Sequence, residues 1–356
     1  MDGMTNQKRV AVGMSGGVDS SVAAAKLLDA GHEPVGFTLI LKDDALKCVS
    51  EQDAEAAAEV ARMLDIEHHV IDARDEFERT IIAPFAQEYS LGRTPSPCVR
   101  CNPAIKFKLL REHGRRLGCE CIATGHYART LLDEDGMRHI YRDPDNEKDQ
   151  TYFLQRLTQE ELRGTIFPLA DMVKTEVRLY AAKRKLPCAT HSESQDLCFA
   201  ERGRYAELVA RYHPRSIASG DIVDTAGKRL GGHDGIHNFT VGQRRGPGVA
   251  TGDRYYVLAL ESDENRVVMG PRSEAMRREC IVSDMSWICG KPPAANAELV
   301  AQPRYRHPGA RAHLEDGPDP QRMKVVFAKP QFALSPGQAL AVYLNDELLG
   351  GGWIEG

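Results

Sequence analysis

Short apolar runs alternate with amphipathic stretches through the first third of the chain. Arg9 to Met14 reads as a hydrophobic strand, a glycine-rich turn follows, and Asp19 to Ala30 carries the helical period. Gly31 is placed to end that helix in a left-handed cap. Glu33 to Leu41 is a second strand, Gln52 to Leu64 an Ala/Glu-rich helix, Glu67 to Ile71 a third strand, and Asp75 to Tyr89 a further helix. A proline-punctuated loop, Thr94 to Pro97, leads to a basic helix ending near Gly118, and Cys119 to Thr124 is the next strand. This rhythm predicts an α/β fold, a parallel sheet with helices on both faces.

Past Thr124 the rhythm changes. Asp149 to Ser194 keeps a helical look, most clearly over Thr175 to Leu186. From about Gly220 short alternating strands take over, among them Arg254 to Leu260, Arg266 to Met269, Lys324 to Phe327 and Ala339 to Leu344. Gly, Pro, Asp and Asn punctuate them, the pattern of small β-barrels. Boundaries near 205 and 275 divide the chain into an α/β domain (1–204), a small central β-rich domain (205–275) and a C-terminal β-barrel (276–356).

A length of 356 residues suits more than one domain, and 42% hydrophobic with 27% charged residues is globular composition. No apolar run approaches the roughly 18 residues of a membrane span. Met1 to Arg9 is polar and lacks the apolar core of a signal peptide, so a cytoplasmic location without membrane contact is expected. Lys plus Arg number 46 against 51 Asp plus Glu, a net charge of −5, which argues against a protein that coats nucleic acid nonspecifically. One local basic stretch stands out: Arg100, Lys106, Lys108, Arg111, Arg115 and Arg116 against Glu112. It suits an RNA contact or a solvated helix face. Nine cysteines, an odd number, read as thiols of a reducing compartment rather than a disulfide framework.

The turn between the first strand and first helix is Gly13-Met14-Ser15-Gly16-Gly17-Val18-Asp19-Ser20. Open parallel sheets bind phosphates at that junction, where backbone N–H groups and a helix N-terminus face the anion. Its glycines allow close approach, its serines offer donors, and Asp19 is placed to cap the helix or hold magnesium. There is no Gly-Lys-Ser/Thr to position a γ-phosphate. The SGGVDS sequence resembles the PP-loop ATP pyrophosphatases, which cleave between the α- and β-phosphates.

A second constellation runs from Gly92 to Pro103 and contains Ser96-Pro97-Cys98-Val99-Arg100-Cys101. Asn102 as N-cap and Pro103 at the first helical position place Cys101 at a helix N-terminus near Arg100 and Lys106, which favours the thiolate. Cys198, in a polar segment before the first boundary, is its candidate partner: one thiol carries a persulfide and the other attacks or resolves it. Cys119 and Cys121, two apart on a strand, are expected on one core-facing side. Cys48, Cys188, Cys280 and Cys289 have no partner in sequence and read as packing or idle surface.

These motifs occur in order with Ala123 to Arg129, Lys148 to Leu154 and Phe239 to Gly246. The ordered set resembles the tRNA-specific 2-thiouridylase family over essentially the whole chain. The resemblance implies adenylation by ATP, with magnesium, of the C2 oxygen of the wobble uridine in the tRNAs for lysine, glutamate and glutamine. Sulfur from a cysteine desulfurase or a carrier relay then displaces AMP. By carry-over, Cys101 is the nucleophile and Cys198 bears the persulfide. Gly13 to Ser20, Leu39 and Gly125 bind ATP; Ser96, Pro97 and Cys98 meet the target base; Lys148, Asp149, Gln150, Arg304 and Tyr305 contact tRNA. The α/β domain becomes the catalytic domain, and the two β domains grip the tRNA.

Many relatives carry Asn-Pro-Asp where this chain has Ser96-Pro97-Cys98. The change removes a carboxylate and creates Cys98-x-x-Cys101, which with Cys198 resembles the three-thiolate set of PP-loop thiolases that hold a [4Fe–4S] cluster. Sulfur transfer by persulfide and by cluster therefore both stand. A third reading is a PP-loop synthetase with a small-molecule acceptor, and a fourth a noncatalytic RNA-binding module.

Overall fold

The computed structural model describes residues 7–41, 51–143, 147–190, 197–199, 205–213, 218–244, 254–294 and 297–355. Its first layer is a parallel five-stranded sheet. The chain runs through β1 (Arg9–Gly13), α1 (Val18–Asp29), β2 (Glu33–Ile40), α2 (Glu51–Met63) and β3 (His68–Asp72). A helical run follows, α3 (Arg74–Phe77), a wide π-turn (Glu78–Ile82) and α4 (Ala83–Ser90). A second comprises α5 (Pro97–Cys101), another π-turn (Asn102–Phe107) and α6 (Lys108–Arg116), ahead of β4 (Cys121–Ala123). β5 (Arg129–Leu132) and β6 (Arg138–Tyr141) form a hairpin; then come α7 (Gln159–Arg163), β7 (Thr165–Ile166) and α8 (Lys174–Lys183).

The strand order is β3-β2-β1-β4-β7. It reverses direction at β1, so a crevice opens between the ends of β1 and β4, where such sheets bind ligands. Strand alternation divides the interior into two cores. Val10 and Val12 pack with Val22, Ala23 and Val177. Ala11 faces the opposite core with Phe37, Ile105 and Leu110. Helix α6 lies close on β1 because Gly114 has no Cβ; one added there would stand 2.7 Å from the Ala11 Cβ.

After α9 (Tyr205–Tyr212), a four-stranded sheet forms from β8 (Gly220–Asp224), β9 (Arg229–His233), β10 (Tyr255–Glu261) and β11 (Arg266–Pro271) around Ile222, Val257 and Val267. The last part is a barrel of β12 (Met276–Trp287), β13 (Leu299–Gln302), β14 (Ala310–Asp316), β15 (Arg322–Phe332), β16 (Ala339–Leu344) and β17 (Glu347–Ile354), closed by pairing of β12 with β17. Beyond that closure β17 pairs with β6, Glu347 opposite Tyr141 and Leu348 opposite Ile140, so the hairpin extends the barrel wall.

Several sequence expectations need correction. The helical look of 149–194 resolves into a 3-10 turn (Thr151–Leu154), α7, β7 and α8, with 191–196 outside the described residues. The hairpin β5–β6 was not foreseen; Asp133 builds its turn by accepting from the Asp135 and Met137 amides at 3.0 and 2.7 Å. Cys119 and Cys121 do not share a face: Cys119 packs in the core with Leu110 and Cys121 in the core with Val10. The strand begins only at Cys121, so the two-residue alternation does not extend back to Cys119.

Tyr152 ties the two ends of the molecule together. Its ring is fully buried and its hydroxyl donates to the Ala339 carbonyl at 2.8 Å. Tyr152→Phe is expected to cost about 1–3 kcal/mol, because a buried acceptor loses its donor. A lower urea midpoint with an unchanged slope would show it; no change would mean the bond contributes nothing net.

Candidate active site

The SGGVDS turn is built by its own hydroxyls. Ser20 Oγ accepts from the Ser15 amide at 3.1 Å and donates to the Gly17 carbonyl at 3.0 Å. Ser21 Oγ donates to the same carbonyl at 2.9 Å. Gly16 has φ +72, and a Cβ there would stand 2.7 Å from the Asp53 carbonyl, so the turn requires glycine at this position. On the far side, Thr38 Oγ1 donates to the Met14 carbonyl at 2.8 Å, tying the turn to β2.

Asp19 does not cap α1; Gly17 holds the N-cap position without a side-chain bond. The Asp19 carboxylate instead takes Lys174 Nζ at 2.7 and 2.8 Å and the Tyr127 hydroxyl at 2.6 Å. Lys174 starts α8, and sequence reading missed it because 155 positions separate it from Asp19.

Beside the turn lies a cavity of about 250 Å³. Gly13, Met14, Ser15, Asp19, Ser20, Leu39 and Gly125 line it, the last at the end of β4. Gly16, Gly17 and Val18 lie outside its lining. Phe37, Leu41 and Leu110 give it an apolar wall, and Thr124, His126, Gln150 and Lys106 supply polar groups. An apolar slot beside a phosphate-binding turn suits a nucleotide. Gly125 packs on the start of α1: a Cβ would come 2.9 Å from the Asp19 carbonyl carbon and 3.0 Å from the Ser20 nitrogen. His126 is held neutral, its pKa lowered to about 3 by burial and by the Lys106 charge; its Nδ1 is 2.8 Å from Thr124 Oγ1.

The cysteine loop folds differently from expectation. Its helix begins at Pro97, with Ser96 in the N-cap position, so Cys98 lies in the first turn and Cys101 a turn further in. Asn102 is buried inside the helical run and its Nδ2 donates to the Phe153 carbonyl at 2.9 Å. Pro103 is absorbed by the π-turn, which accommodates a residue lacking an N–H. Cys101 is therefore not poised as a thiolate. Burial pushes it up to about 12; Lys106 opposes the shift, and Cys198 and Cys98 add to it. Cys98 is raised to about 11, by burial and then by Cys198, again against Lys106. Each of the three thiols thus lies within the electrostatic reach of another, and Lys106, which acts on Cys98 and Cys101, also lines the cavity. Cys98 and Cys101 are thiols, not joined in a disulfide.

Residues 8–202 match a family model described as a tRNA methyl transferase HUP domain, residues 206–271 a tRNA methyl transferase PRC-barrel domain, and residues 277–354 an aminomethyltransferase beta-barrel domain. The chain is 43% identical to the tRNA-specific 2-thiouridylase MnmA of Geotalea uraniireducens over 98% of this chain and 95% of that one. It is 45% identical to the MnmA of Gloeothece citriformis over 98% and 99%. The chain belongs to the MnmA family. A solved 4-thiouridine synthetase–RNA complex with bound ATP gives a TM-score of 0.37 at 14% identity, covering 58% of this chain and 50% of that one, a likeness too slight to carry weight. The whole-chain relatives bear thiouridylase names, whereas the domain models carry methyl-transfer wording.

The remaining positions singled out by the MnmA resemblance fall in several different surroundings. Tyr305 packs on Phe153 with ring centroids 4.3 Å apart and the rings tilted by 39°, and Asp149, Lys148, Arg306 and Cys98 lie within electrostatic reach of its hydroxyl. Arg304 is half-buried and donates to the Phe332 carbonyl at 3.1 Å. The Asp149 carboxyl accepts from Thr151 Oγ1 at 2.6 Å and from the Asp143 amide at 3.2 Å, which makes it an organiser of its own loop. Burial raises it to about 6 against those bonds. Gln150 lines the nucleotide cavity, whereas Ser96 and Pro97 line a second cavity with Arg100 and Trp353. The basic stretch is partly structural: Lys108 pairs with Glu76, and Arg111 donates to the Glu160 and Glu161 carbonyls.

Gly125→Ala is expected to move the start of α1 and weaken ATP binding about 5- to 150-fold, an overpacking cost of about 1–3 kcal/mol. Calorimetric titration of the folded variant with ATP checks it. The raised pKa of Cys101 predicts that, without ligands, its alkylation by iodoacetamide climbs about tenfold per pH unit from 7 to 9. Mass spectrometry of the Cys101 peptide reads this, and a plateau near neutral pH would contradict it.

Proposed function

We propose that this chain catalyses ATP-dependent 2-thiolation of the wobble uridine in the tRNAs for lysine, glutamate and glutamine, using Cys198 as sulfur carrier and Cys101 as resolving nucleophile. The observation that carries the reading is the position of Lys106, which lines the nucleotide cavity and acts electrostatically on both Cys98 and Cys101. None of the three cysteines lines that cavity, so Lys106 is the residue that relates phosphate activation to sulfur chemistry. A synthetase acting on a small acceptor would need no thiols beside its nucleotide.

A uridine carbonyl oxygen is a poor leaving group, and transfer of AMP to O2 with loss of pyrophosphate makes it a good one. The SGGVDS turn and the Gly125 segment hold the nucleotide, and the apolar wall of Phe37, Leu41 and Leu110 takes its base. The terminal sulfur of a Cys198 persulfide attacks C2 and AMP departs. The Cys101 thiolate then attacks the inner sulfur of Cys198, freeing 2-thiouridine and leaving a Cys101–Cys198 disulfide. A low-molecular-weight thiol or a reductase resets it, and a desulfurase or carrier protein reloads Cys198. Lys106 favours the Cys101 anion at that step.

Tyr305 and Phe153 offer a stacking surface for an extruded base, the usual way single-stranded RNA is read. Lys148 and Arg304 suit phosphate contacts, which make affinity salt-sensitive. A magnesium ion would bind mainly through the ATP phosphates, because both Asp19 oxygens already hold Lys174. Three mutually coupled thiols fit a [4Fe–4S] cluster in donor type, and Cys98, Cys101 and Cys198 would hold it; when bound, a cluster with three protein ligands supplies an open iron for sulfide. The three sulfurs do not gather within 4.8 Å of one another, so they do not form a single-ion cage.

The test is incubation with ATP, magnesium, a sulfur donor and unmodified lysine tRNA, followed by nucleoside analysis. Equal yields of AMP, pyrophosphate and 2-thiouridine are expected, with at least about a hundredfold loss in Cys101→Ser and Cys198→Ser. AMP formation that ignores tRNA and needs a small amine would overturn the reading. Anaerobic preparation separates the sulfur routes: the relay predicts activity without iron and in Cys98→Ala, whereas loss of both activity and iron in that variant supports the cluster.

A further inference from the structure

Outside the nucleotide cavity, side chains from three elements converge on the seam between hairpin and barrel. His139 on β6, Glu347 at the start of β17 and Cys289 just after β12 place a ring nitrogen, a carboxylate oxygen and a sulfur within 4.8 Å of one another. Among the described residues this is the one His/Cys/Asp/Glu set so arranged. His139 Nδ1 is 2.6 Å from Glu347 Oε1 and 3.9 Å from Cys289 Sγ. The backbone fixes all three: Glu347 lies opposite Tyr141 in the β6–β17 ladder, and the Ile288 amide donates to the Leu349 carbonyl at 2.9 Å.

The other ring nitrogen, Nε2, is 3.0 Å from Asp133 Oδ2, while Asp133 Oδ1 is engaged by its own turn. A carboxylate behind the far nitrogen of an imidazole is the arrangement that orients metal-binding histidines. An imidazolium bridging Asp133 and Glu347 would explain two of these contacts, but it gives no role to the sulfur. A tetrahedral zinc centre with ordinary bond lengths sets nitrogen and sulfur roughly 3.6 Å apart, close to the observed spacing, and nitrogen and oxygen roughly 3.4 Å apart. The Nδ1···Oε1 contact has only to open by under about 1 Å when a metal replaces the proton between them.

The geometry points to a binding site for a zinc-class divalent cation at His139 Nδ1, Cys289 Sγ and Glu347, with Asp133 orienting the imidazole and water in the fourth position. Imidazole, thiolate and carboxylate together suit zinc, and cobalt as its spectroscopic substitute, over magnesium or calcium. The ion would staple the β5–β6 hairpin to the barrel. This inference is independent of the proposed sulfur transfer.

The test uses the full chain after dialysis against a chelator. Cobalt(II) is expected to bind one per chain with a sulfur-to-metal charge-transfer band. That band should vanish in Cys289→Ser and His139→Ala and persist in Cys101→Ser. Zinc should raise the melting temperature of the wild type and leave Cys289→Ser unmoved; equal melting of the two metal-free proteins shows that the variant is folded. Asp133→Asn should weaken binding about 10- to 100-fold. A wild type without the band, or a band kept in Cys289→Ser and lost in Cys101→Ser, overturns the assignment.

Discussion

Burying a thiol raises the free energy of its anion, and at Cys98 and Cys101 the group that opposes this is the Lys106 ammonium. Burial wins, so both thiols rest protonated. The same ammonium lines the nucleotide cavity, so an anion bound there and a thiolate at Cys101 draw on a single cation. Reactivity is then a property of the loaded site rather than of the cysteine itself.

The π-turn over Asn102–Phe107 makes that shared cation possible. It carries one helical path from Pro97 into α6 across an internal proline, with Cys98 and Cys101 near its start and Lys106 within the wide turn. Asn102 spends its amide on the Phe153 carbonyl, anchoring the run to the segment that also carries Tyr152. π-turns often mark functional positions, and here the irregularity aims a charge.

Much of the fold was legible from the order of strands and helices. The turn after β1 was legible because its glycines and serines have a local physical purpose. Leu39 and Gly125 came through resemblance, and the structure supplies the reason for Gly125, whose missing Cβ leaves room for Asp19 and Ser20. The helix start at Pro97 was misread because Asn102-Pro103 is a good local start signal that tertiary packing overrides. Lys174 on Asp19 and Glu347 on His139 were invisible for another reason: they join residues 155 and 208 positions apart. The Asp-rich turn at Asp133 to Gly136 is a readable hairpin signal, weakened because its flanking strands are only four residues long and half polar.

The ladder between β6 and β17 has a mechanical consequence. Arg142 reinforces it from the end of the hairpin, its amide donating to the Asp346 carbonyl at 2.9 Å and its guanidinium lying 4.8 Å from the Tyr343 ring. A barrel that swung freely would have to tear this seam and strip Tyr152 of its acceptor. The last domain is therefore a fixed jaw. A rearrangement that keeps both contacts falls to the β8–β11 sheet, which neither of them holds.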